Sequence, residues 1–305
     1  MNFFTRSMLG RSTRELGRKA PRNARKPSVD GLPTRLLMAA DLLPAAAPAQ
    51  VSAVLQDGVL RVRGTDGDDR VAIAPLRYDA NTLLVFQAKG GYDQNGNFQW
   101  SPVTIVYGSF SVADVRSISV TLAKGNDTFT GLGLRTPELS HISGGRHDDN
   151  LAVFDSQNVS LEGDAGDDLL YAANCQTIQL LGGAGNDLMA VLQADSSVST
   201  QAVVNGGDGE DFTELLNTRD VTIRRFVGDQ PDHILFEGSV SNTQILTAPD
   251  PDNPNPTSTG PEFFLYSDSP SSIRNLTWNG TRVRRDWSYG SGNDWVAKLQ
   301  STFRV

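Results

Sequence analysis

Short runs of alternating apolar and polar residues, separated by glycine-rich and polar turns, dominate the chain from residue 117 to residue 246. In residues 177–180 and 221–223 every second residue is apolar. Alternation with a period of two predicts β-strands that bury one face. A helical interpretation fails, because two or three glycines recur in every 20 residues and each would cost about 1 kcal/mol inside a helix.

A six-residue loop that ends in aspartate repeats along this region. Its four best copies are residues 144–149, 163–168, 182–187 and 206–211. The final aspartates of these loops are 19, 19 and 24 residues apart. Weaker copies flank them at 122–127 and 227–232, and an outlying copy lies at 64–69. An apolar residue precedes each of the four loops by two positions, and another usually follows its aspartate by two. One unit therefore consists of a strand, a glycine loop, a strand and a polar corner.

These units predict an all-β fold. Strands of three to five residues are not stable alone, but stacked coils pair along the axis at about 4.8 Å per turn and bury one continuous apolar core. We therefore expect a parallel β-solenoid with β-rich caps at both ends. The predicted segments are a basic targeting segment (1–50), an N-terminal β cap (51–116), the solenoid (117–246), a proline-rich loop (247–261) and a C-terminal β cap (262–305).

Charge is divided unevenly along the chain. Residues 1–40 hold nine basic and two acidic groups, whereas residues 41–305 hold 18 basic and 33 acidic groups. An acidic body repels nucleic acid and attracts cations, so we expect no nucleic-acid partner. No apolar run reaches 18 residues, so a spanning helix is not predicted.

The repeated glycines and aspartates are suited to calcium. Calcium takes six to eight oxygen ligands from carboxylates and backbone carbonyls. Glycine reaches positive φ, which lets the loop carbonyls turn toward one point. In stacked loops the final aspartates would stand close together and repel each other. An ion between neighbouring loops would therefore also stabilise the fold.

The loops resemble the calcium-binding nonapeptide G-G-x-G-x-D-x-U-x of RTX, or hemolysin-type, proteins. Residues 182–189 match it fully, and residues 163–170 match it except for Asp164 at the second glycine. In the loop 144–149, His147 replaces the fourth-position glycine. The resemblance implies carboxylate and carbonyl ligands at Asp149, Asp168, Asp187, Asp211, Gly144, Gly163, Gly166, Gly182, Gly185, Gly206 and Gly209. RTX rolls place such loops on both sides of each turn, whereas this chain has one per turn. We therefore expect calcium along one edge only.

The N-terminal segment resembles an export signal. Residues 32–42 are similar to the LEPR-type motif (L-E-P-R-x-L-L-x-A-D-L) of large exported bacterial repeat proteins, although the glutamate is missing. A basic region, a short apolar segment and the Ala-Pro-Ala of residues 47–49 also follow the order of a signal peptide. The resemblance implies a secreted or cell-surface protein of bacterial origin. A basic tail without an address function is the alternative.

No catalytic motif is present in the sequence. HExxH, GxSxG and P-loop patterns are absent, and the three histidines are scattered through the turns. The single cysteine, Cys175, cannot form an internal disulfide and is interpreted as a small buried residue. We therefore expect a calcium-binding structural or surface protein and not an enzyme.

Two alternatives stay open. One is a carbohydrate-active or polysaccharide-binding β-helix protein, which would need an exposed groove lined by aromatic and basic residues. Trp278, Trp287 and Trp295, which we assign to the C-terminal cap, lie near several arginines and could form such a surface. The other is an accessory component of an export or adhesion system that contacts an envelope protein.

Overall fold

The computed structural model describes residues 50–88, 90–92, 98–101, 105–227, 232–249, 263–267, 272–279, 281–282, 288–289 and 295–299. The predicted targeting segment lies outside these residues except for Gln50, as do residues 250–261 of the predicted proline-rich loop and Trp287. Almost all of the described chain is β-structure. No helix in the described ranges is long and apolar enough to cross a membrane.

Twenty-six strands follow one another along the described residues. They are β1 (Ser52–Gln56), β2 (Val59–Arg63), β3 (Arg70–Leu76), β4 (Asp79–Phe86), β5 (Gly90–Tyr92), β6 (Phe98–Trp100), β7 (Val106–Ser111), β8 (Ser117–Lys124), β9 (Thr128–Leu132), β10 (Arg135–Arg146), β11 (Asn150–Phe154), β12 (Gln157–Ala165), β13 (Leu169–Ala173), β14 (Gln176–Ala184), β15 (Leu188–Leu192), β16 (Ala202–Asp208), β17 (Phe212–Leu216), β18 (Arg219–Val227), β19 (Asp232–Glu237), β20 (Val240–Pro249), β21 (Phe263–Ser267), β22 (Ile273–Arg274), β23 (Thr277–Trp278), β24 (Thr281–Arg282), β25 (Ser288–Tyr289) and β26 (Trp295–Leu299). A single turn of 3-10 helix, Val112–Asp114, precedes β8.

Successive strands from β8 to β21 belong alternately to two large sheets, A and B. Sheet A has the strand order β1-β2-β8-β10-β12-β14-β16-β18-β20-β23-β24, with β22 also paired to β20, and sheet B has the order β25-β26-β21-β19-β17-β15-β13-β11-β9-β3-β4-β7. From β2 to β20 in sheet A, and from β3 to β21 in sheet B, neighbouring strands are parallel. Each coil thus contributes one strand to each sheet. The fold is a parallel β-solenoid of about six turns, which confirms the predicted class.

The apolar positions that flank the loops form the core. The residues two positions before the loops pair in register within sheet A and are at most 1% exposed: Val120, Ile142, Leu161, Leu180 and Val204. Within sheet B, the residues two positions after the aspartates are also at most 1% exposed: Phe129, Leu151, Leu170 and Met189 pair in register, and Ile234 follows them in the same row after the buried Thr213, which is 4% exposed. Burying each such side chain contributes roughly 2 kcal/mol. The alternating pattern therefore identified the core correctly.

The solenoid begins earlier than residue 117. Strands β2 and β3 already pair in parallel with β8 and β9, and the loop 64–69 connects them. Between this first coil and the next, β4 and β7 extend sheet B by antiparallel pairing. The loop at 64–69, which looked outlying in the sequence, is therefore the first of the stack.

Antiparallel strands close both ends of the sheets. At the N-terminal end β1 pairs with β2, and β4 pairs with β3 and β7. At the C-terminal end β26 pairs with β21 and β25, and β24 pairs with β23. These strands are the predicted β-rich caps, which a solenoid needs to cover its open edges. Strands β5 and β6 form a separate antiparallel hairpin.

Candidate functional site

The glycine loops lie one above another along one edge of the solenoid, where each sheet A strand passes into its sheet B strand. We call this the loop edge and number the six residues of each loop as positions 1 to 6. At position 2, Gly145 pairs with Asp164, and Asp164 with Gly183, which pairs with Gly207. The residues that follow position 6 are also in register. The loops therefore stack in the same register as the strands.

The position 6 aspartates form a buried column. We call this the aspartate column: Asp127, Asp149, Asp168, Asp187 and Asp211. Each is between 1% and 3% exposed. The column brings together all four carboxylates that the RTX resemblance implied, and it adds Asp127 from a weaker copy.

Hydrogen bonds run along the column from loop to loop. The main-chain N–H of Asp149 donates to Oδ1 of Asp168 at 2.7 Å, and the N–H of Asp168 donates to Oδ1 of Asp187 at 2.9 Å. The same bond links Asp127 to Asp149 at 2.7 Å and Asp187 to Asp211 at 2.9 Å. The N–H of Asp69 joins the series at 2.7 Å from Oδ1 of Asp127. One oxygen of each carboxylate therefore satisfies a backbone donor of the preceding coil.

In four of these carboxylates the second oxygen is buried without such a bond. Oδ2 of Asp127, Asp149, Asp168 and Asp187 has no hydrogen-bond partner among the described residues. In Asp149, Asp168 and Asp187 this oxygen lies so close to the position 1 glycine of its own loop that a Cβ added there would overlap it. A buried anionic oxygen left unpaired costs free energy unless a proton or a cation compensates it.

Burial raises the pKa of these carboxyl groups. It is the largest cause for all four, the hydrogen bond from the preceding loop opposes it, and neighbouring carboxylates raise the pKa further. The pKa of Asp149 and of Asp187 reaches about 7, and that of Asp127 and of Asp168 about 6. At neutral pH these carboxyls are therefore only partly protonated, and the column keeps part of its negative charge.

Close contact with the preceding loop explains the glycines at positions 2 and 4. Gly185, at position 4, has φ of +135°, and a Cβ there would overlap the carbonyl oxygen of Gly166 in the preceding loop. Gly183, at position 2, stands in the same relation to the carbonyl of Asp164. Two rows of carbonyl oxygens therefore run along the loop edge. Each oxygen lies close to the position 2 or position 4 residue of the next loop. The predicted carbonyl ligands Gly166 and Gly185 belong to the position 4 row.

Three loops keep this turn without glycine. His147 at position 4 has φ of +81°, and Asp164 and Ala123 at position 2 have φ of +74° and +84°. Non-glycine residues rarely adopt this left-handed region. The two departures from the RTX pattern, at His147 and Asp164, therefore leave the loop path unchanged but strain it locally.

An outer row of polar side chains accompanies the column at position 5. The N–H of Asp167 donates to Oδ1 of Asp148 at 3.0 Å, and the N–H of Asn186 donates to Oδ1 of Asp167 at 2.9 Å. The direction is opposite to that of the aspartate column, because here the acceptor lies in the preceding loop. Sequence reasoning missed this row, although an oxygen-bearing side chain at position 5 of every loop except 227–232 signals it.

The donors present fit a hard cation such as calcium. They are carboxylate and carbonyl oxygens, which calcium prefers, with no cysteine or histidine among the column residues. The described residues contain no group of three or more His, Cys, Asp or Glu side chains already gathered around a metal position. A site here would therefore combine carboxylates with the backbone carbonyls of neighbouring loops.

Cys175 and His141 lie outside this site, whereas His147 occupies position 4 of its loop. Cys175 is fully buried at the opposite corner, its thiol donates to the carbonyl of Ala173 at 3.2 Å, and burial raises its pKa to about 12. His141 lies 3.4 Å from Glu162 on the surface of sheet A. The interpretation of Cys175 as a small buried residue is confirmed.

Comparison of the chain with protein-family models, with curated proteins and with solved structures gives no match. The class that the geometry defines is therefore a parallel β-solenoid with a buried aspartate column on one edge.

Proposed function

We propose that this chain is a calcium-binding structural protein of the RTX type, in which calcium compensates the aspartate column. The ligands would be the carboxylates of Asp149, Asp168, Asp187 and Asp211 together with the loop carbonyls of Gly144, Gly163, Gly166, Gly182, Gly185, Gly206 and Gly209. Bound calcium would supply the positive charge that the column lacks. The solenoid residues hold these oxygens in rows at the spacing of the coils.

The unpaired Oδ2 atoms are the observation that carries this proposal. Four carboxylates of the aspartate column, those of Asp127, Asp149, Asp168 and Asp187, are each at most 3% exposed, and each has one oxygen without a hydrogen-bond partner in the described part of the chain. Carboxylates in neighbouring coils repel each other strongly in a medium of low dielectric constant. Either protons or a cation must accompany folding, and at neutral pH a cation is the stronger compensation.

A calcium titration of the full chain tests the proposal. Calorimetry after removal of metal should show heat of calcium binding, and the melting temperature should rise with calcium concentration, because a ligand that binds only the folded state stabilises it by about 2.7 kcal/mol at 100 times its Kd. Magnesium should bind more weakly, because it requires stricter octahedral geometry. Absence of both heat and thermal shift at millimolar calcium would falsify the proposal.

Two variants locate the ions. Asp168→Asn combined with Asp187→Asn keeps an Oδ1 acceptor for each hydrogen bond but removes two charges, so most calcium heat should disappear. Asp114→Asn is the matched control, because Asp114 is exposed and lies in the short helix before β8. Equal heat from both variants would mean that calcium binds elsewhere.

We propose further that the protein acts outside the bacterial cell or on its surface. The support is the resemblance of residues 32–42 to the LEPR-type motif. A reporter fused to residues 1–50 should reach the medium or the envelope, and the same fusion with Arg35, Leu36 and Leu37 replaced by alanine should not. Retention of both fusions in the cytoplasm would contradict this part of the proposal.

A further inference from the structure

Exposed arginines gather on the outer face of sheet A toward its C-terminal end. Arg224, Arg274 and Arg282 are exposed, and Arg219 is partly exposed. Arg219 and Arg274 both pair in register with Ser241, from opposite sides. They are therefore two coils apart, about 10 Å at the usual spacing of strands. This is a positively charged surface on an otherwise acidic body.

A groove of about 430 Å³ lies beside these arginines: Asp220 in its lining adjoins Arg219 in the chain, and Thr277 in its lining pairs in register with Arg282. Its lining includes two columns of side chains, one of Asp220, Asn242 and Asn275 and one of Thr222, Gln244 and Thr277. In the second column, Thr222 pairs in register with Gln244, and Gln244 with Thr277. Hydroxyl and amide groups therefore recur once per coil across three coils.

Hydrogen bonds hold the first column in place. Nδ2 of Asn242 donates to Oδ1 of Asp220, and Nδ2 of Asn275 donates to Oδ1 of Asn242, both at 2.9 Å. The hydroxyl of Ser199 donates to the other oxygen of Asp220 at 2.6 Å. The column is thus a fixed wall, and it leaves Thr222, Gln244 and Thr277 to contact a ligand.

We propose that this groove binds a segment of an acidic polysaccharide. Threonine and glutamine side chains donate to and accept from sugar hydroxyls. The neighbouring arginines present planar forks that match the carboxylates of uronic-acid sugars. The repeat of the polar columns along the solenoid axis suits a linear polymer. This inference goes beyond calcium binding, because the groove uses none of the loop-edge residues.

Nucleic acid fits the groove less well, although arginine also binds phosphate. Asp220 keeps a carboxylate in the wall, because hydrogen bonds from Ser199 and Asn242 lower its pKa. The residues that line the groove are polar or aliphatic, whereas single-stranded nucleic acid is held largely by stacking on aromatic rings. Sugar hydroxyls match the lining better than bases do.

Calorimetry with short oligosaccharides tests the proposal on the full chain at fixed calcium. Tetragalacturonate should bind, and added salt should weaken the binding. Arg224→Gln and Arg274→Gln should each weaken it about tenfold, the loss expected for one hydrogen bond to a charged group. Arg146→Gln is the matched control, because Arg146 is also exposed but lies on the loop edge; it should bind like the parent.

Three outcomes would overturn the proposal. They are no binding of tetragalacturonate, equal binding of neutral maltotetraose, and unchanged binding in the double variant Arg224→Gln with Arg274→Gln. Tighter binding of a thymidylate oligonucleotide of the same length would assign the surface to nucleic acid instead. Circular dichroism of each variant confirms that the fold is retained. Failure here leaves calcium binding untouched, since the calcium titration of the same variants is measured separately.

Discussion

Both edges of the solenoid join neighbouring coils by hydrogen bonds, but they use different side chains as acceptors. At the loop edge, each coil offers a main-chain N–H to the carboxylate of the next. At the opposite edge, which we call the corner edge, the sheet B strands end at residues such as Ser156, Asn174 and Asn217. There the N–H of Ala194 donates to Oδ1 of Asn174 at 3.0 Å, and the N–H of Ser239 donates to Oδ1 of Asn217 at 3.0 Å.

The corner edge shows that stacking does not require charge. Asn174 and Asn217 adopt φ of +55° and +53°, a conformation that asparagine tolerates. Each also accepts a hydrogen bond from a later turn of the chain, so one neutral residue supplies both the turn and the bond between coils. The carboxylates of the loop edge accept the same kind of bond and add a buried negative charge. The two edges therefore differ in this buried negative charge, and a bound cation would account for it.

The largest expected effect comes from a methyl group in the carbonyl rows. Gly185→Ala should lower the free energy of unfolding by about 3 kcal/mol or more, since left-handed backbone costs about 1–2 kcal/mol and overpacking a further 1–3 kcal/mol. Gly133→Ala, on the corner edge, should lose only about 1 kcal/mol. Its φ is +64°, but the nearest atom to an added Cβ is 3.6 Å away on Pro75. Equal losses in urea denaturation would show that the carbonyls are not packed as described.

The next effect is a dependence on pH that calcium removes. Four column carboxyls, those of Asp127, Asp149, Asp168 and Asp187, have a pKa of about 6 to 7 in the folded chain, against about 3.9 when unfolded. Between these values the folded state holds more protons, so the metal-free protein should lose stability as pH rises from 5 to 8. Each unit of pKa difference corresponds to about 1.4 kcal/mol. Calcium should abolish this loss.

The double variant Asp149→Asn with Asp187→Asn isolates the contribution of the column to that pH dependence. It removes the two carboxyls with the highest pKa, so thermal melts in chelator should show a smaller loss between pH 5 and pH 8 than the parent shows. An unchanged loss would mean that other groups control the pH dependence. The amides and hydroxyls of the corner edge do not titrate between pH 5 and pH 8, so they should contribute nothing to this loss.

The sequence predicted the core and the stacking, because both follow from a pattern that repeats locally. Leu161 and Leu170 flank their loop at fixed distances, and the structure buries both completely. The stacking of loop 64–69 on loop 122–127 was not predicted, because β4 to β7 separate them by more than 50 residues. The corner hydrogen bonds were also missed, since their donors belong to coils about 20 residues away and no local pattern marks them.

Exchanging aspartate and asparagine between the two edges should change the free energy of unfolding less than the variants above. The two exchanges should act in opposite directions. Asp187→Asn in chelator at pH 8 should stabilise the chain by about 1 kcal/mol, because it keeps the Oδ1 acceptor and removes a buried charge. Asn217→Asp should destabilise it by about 1 kcal/mol, because the amide that donates to the carbonyl of Gln193 is lost. Only the first change should reduce calcium heat in titration calorimetry. If Asn217→Asp instead added calcium heat, any carboxylate on the stack would suffice for binding.

The smallest effect concerns His147, the residue that interrupts the glycine pattern. His147→Gly removes a non-glycine residue at φ of +81°, a strain of about 1 kcal/mol. It also loses the weak bond that His147 Nδ1 accepts from the N–H of Gly125 at 3.3 Å, and it makes the unfolded chain more flexible, which costs roughly 0.5 kcal/mol. A net gain of about 0.5 kcal/mol or less is expected. Urea denaturation in chelator would measure it.

The corner edge offers the counterpart in Asn158→Gly. Asn158 has φ of +57°, which asparagine tolerates, and its Nδ2 donates to the carbonyl of Thr136 at 2.8 Å. Glycine there should therefore lose about 1 kcal/mol instead of gaining. If His147→Gly also loses stability, the histidine contributes more to the loop than its strain costs, and the loop edge does not depend on glycine at every position. If it gains stability and strengthens calcium binding, the interrupted loop is a weakened copy of the same site.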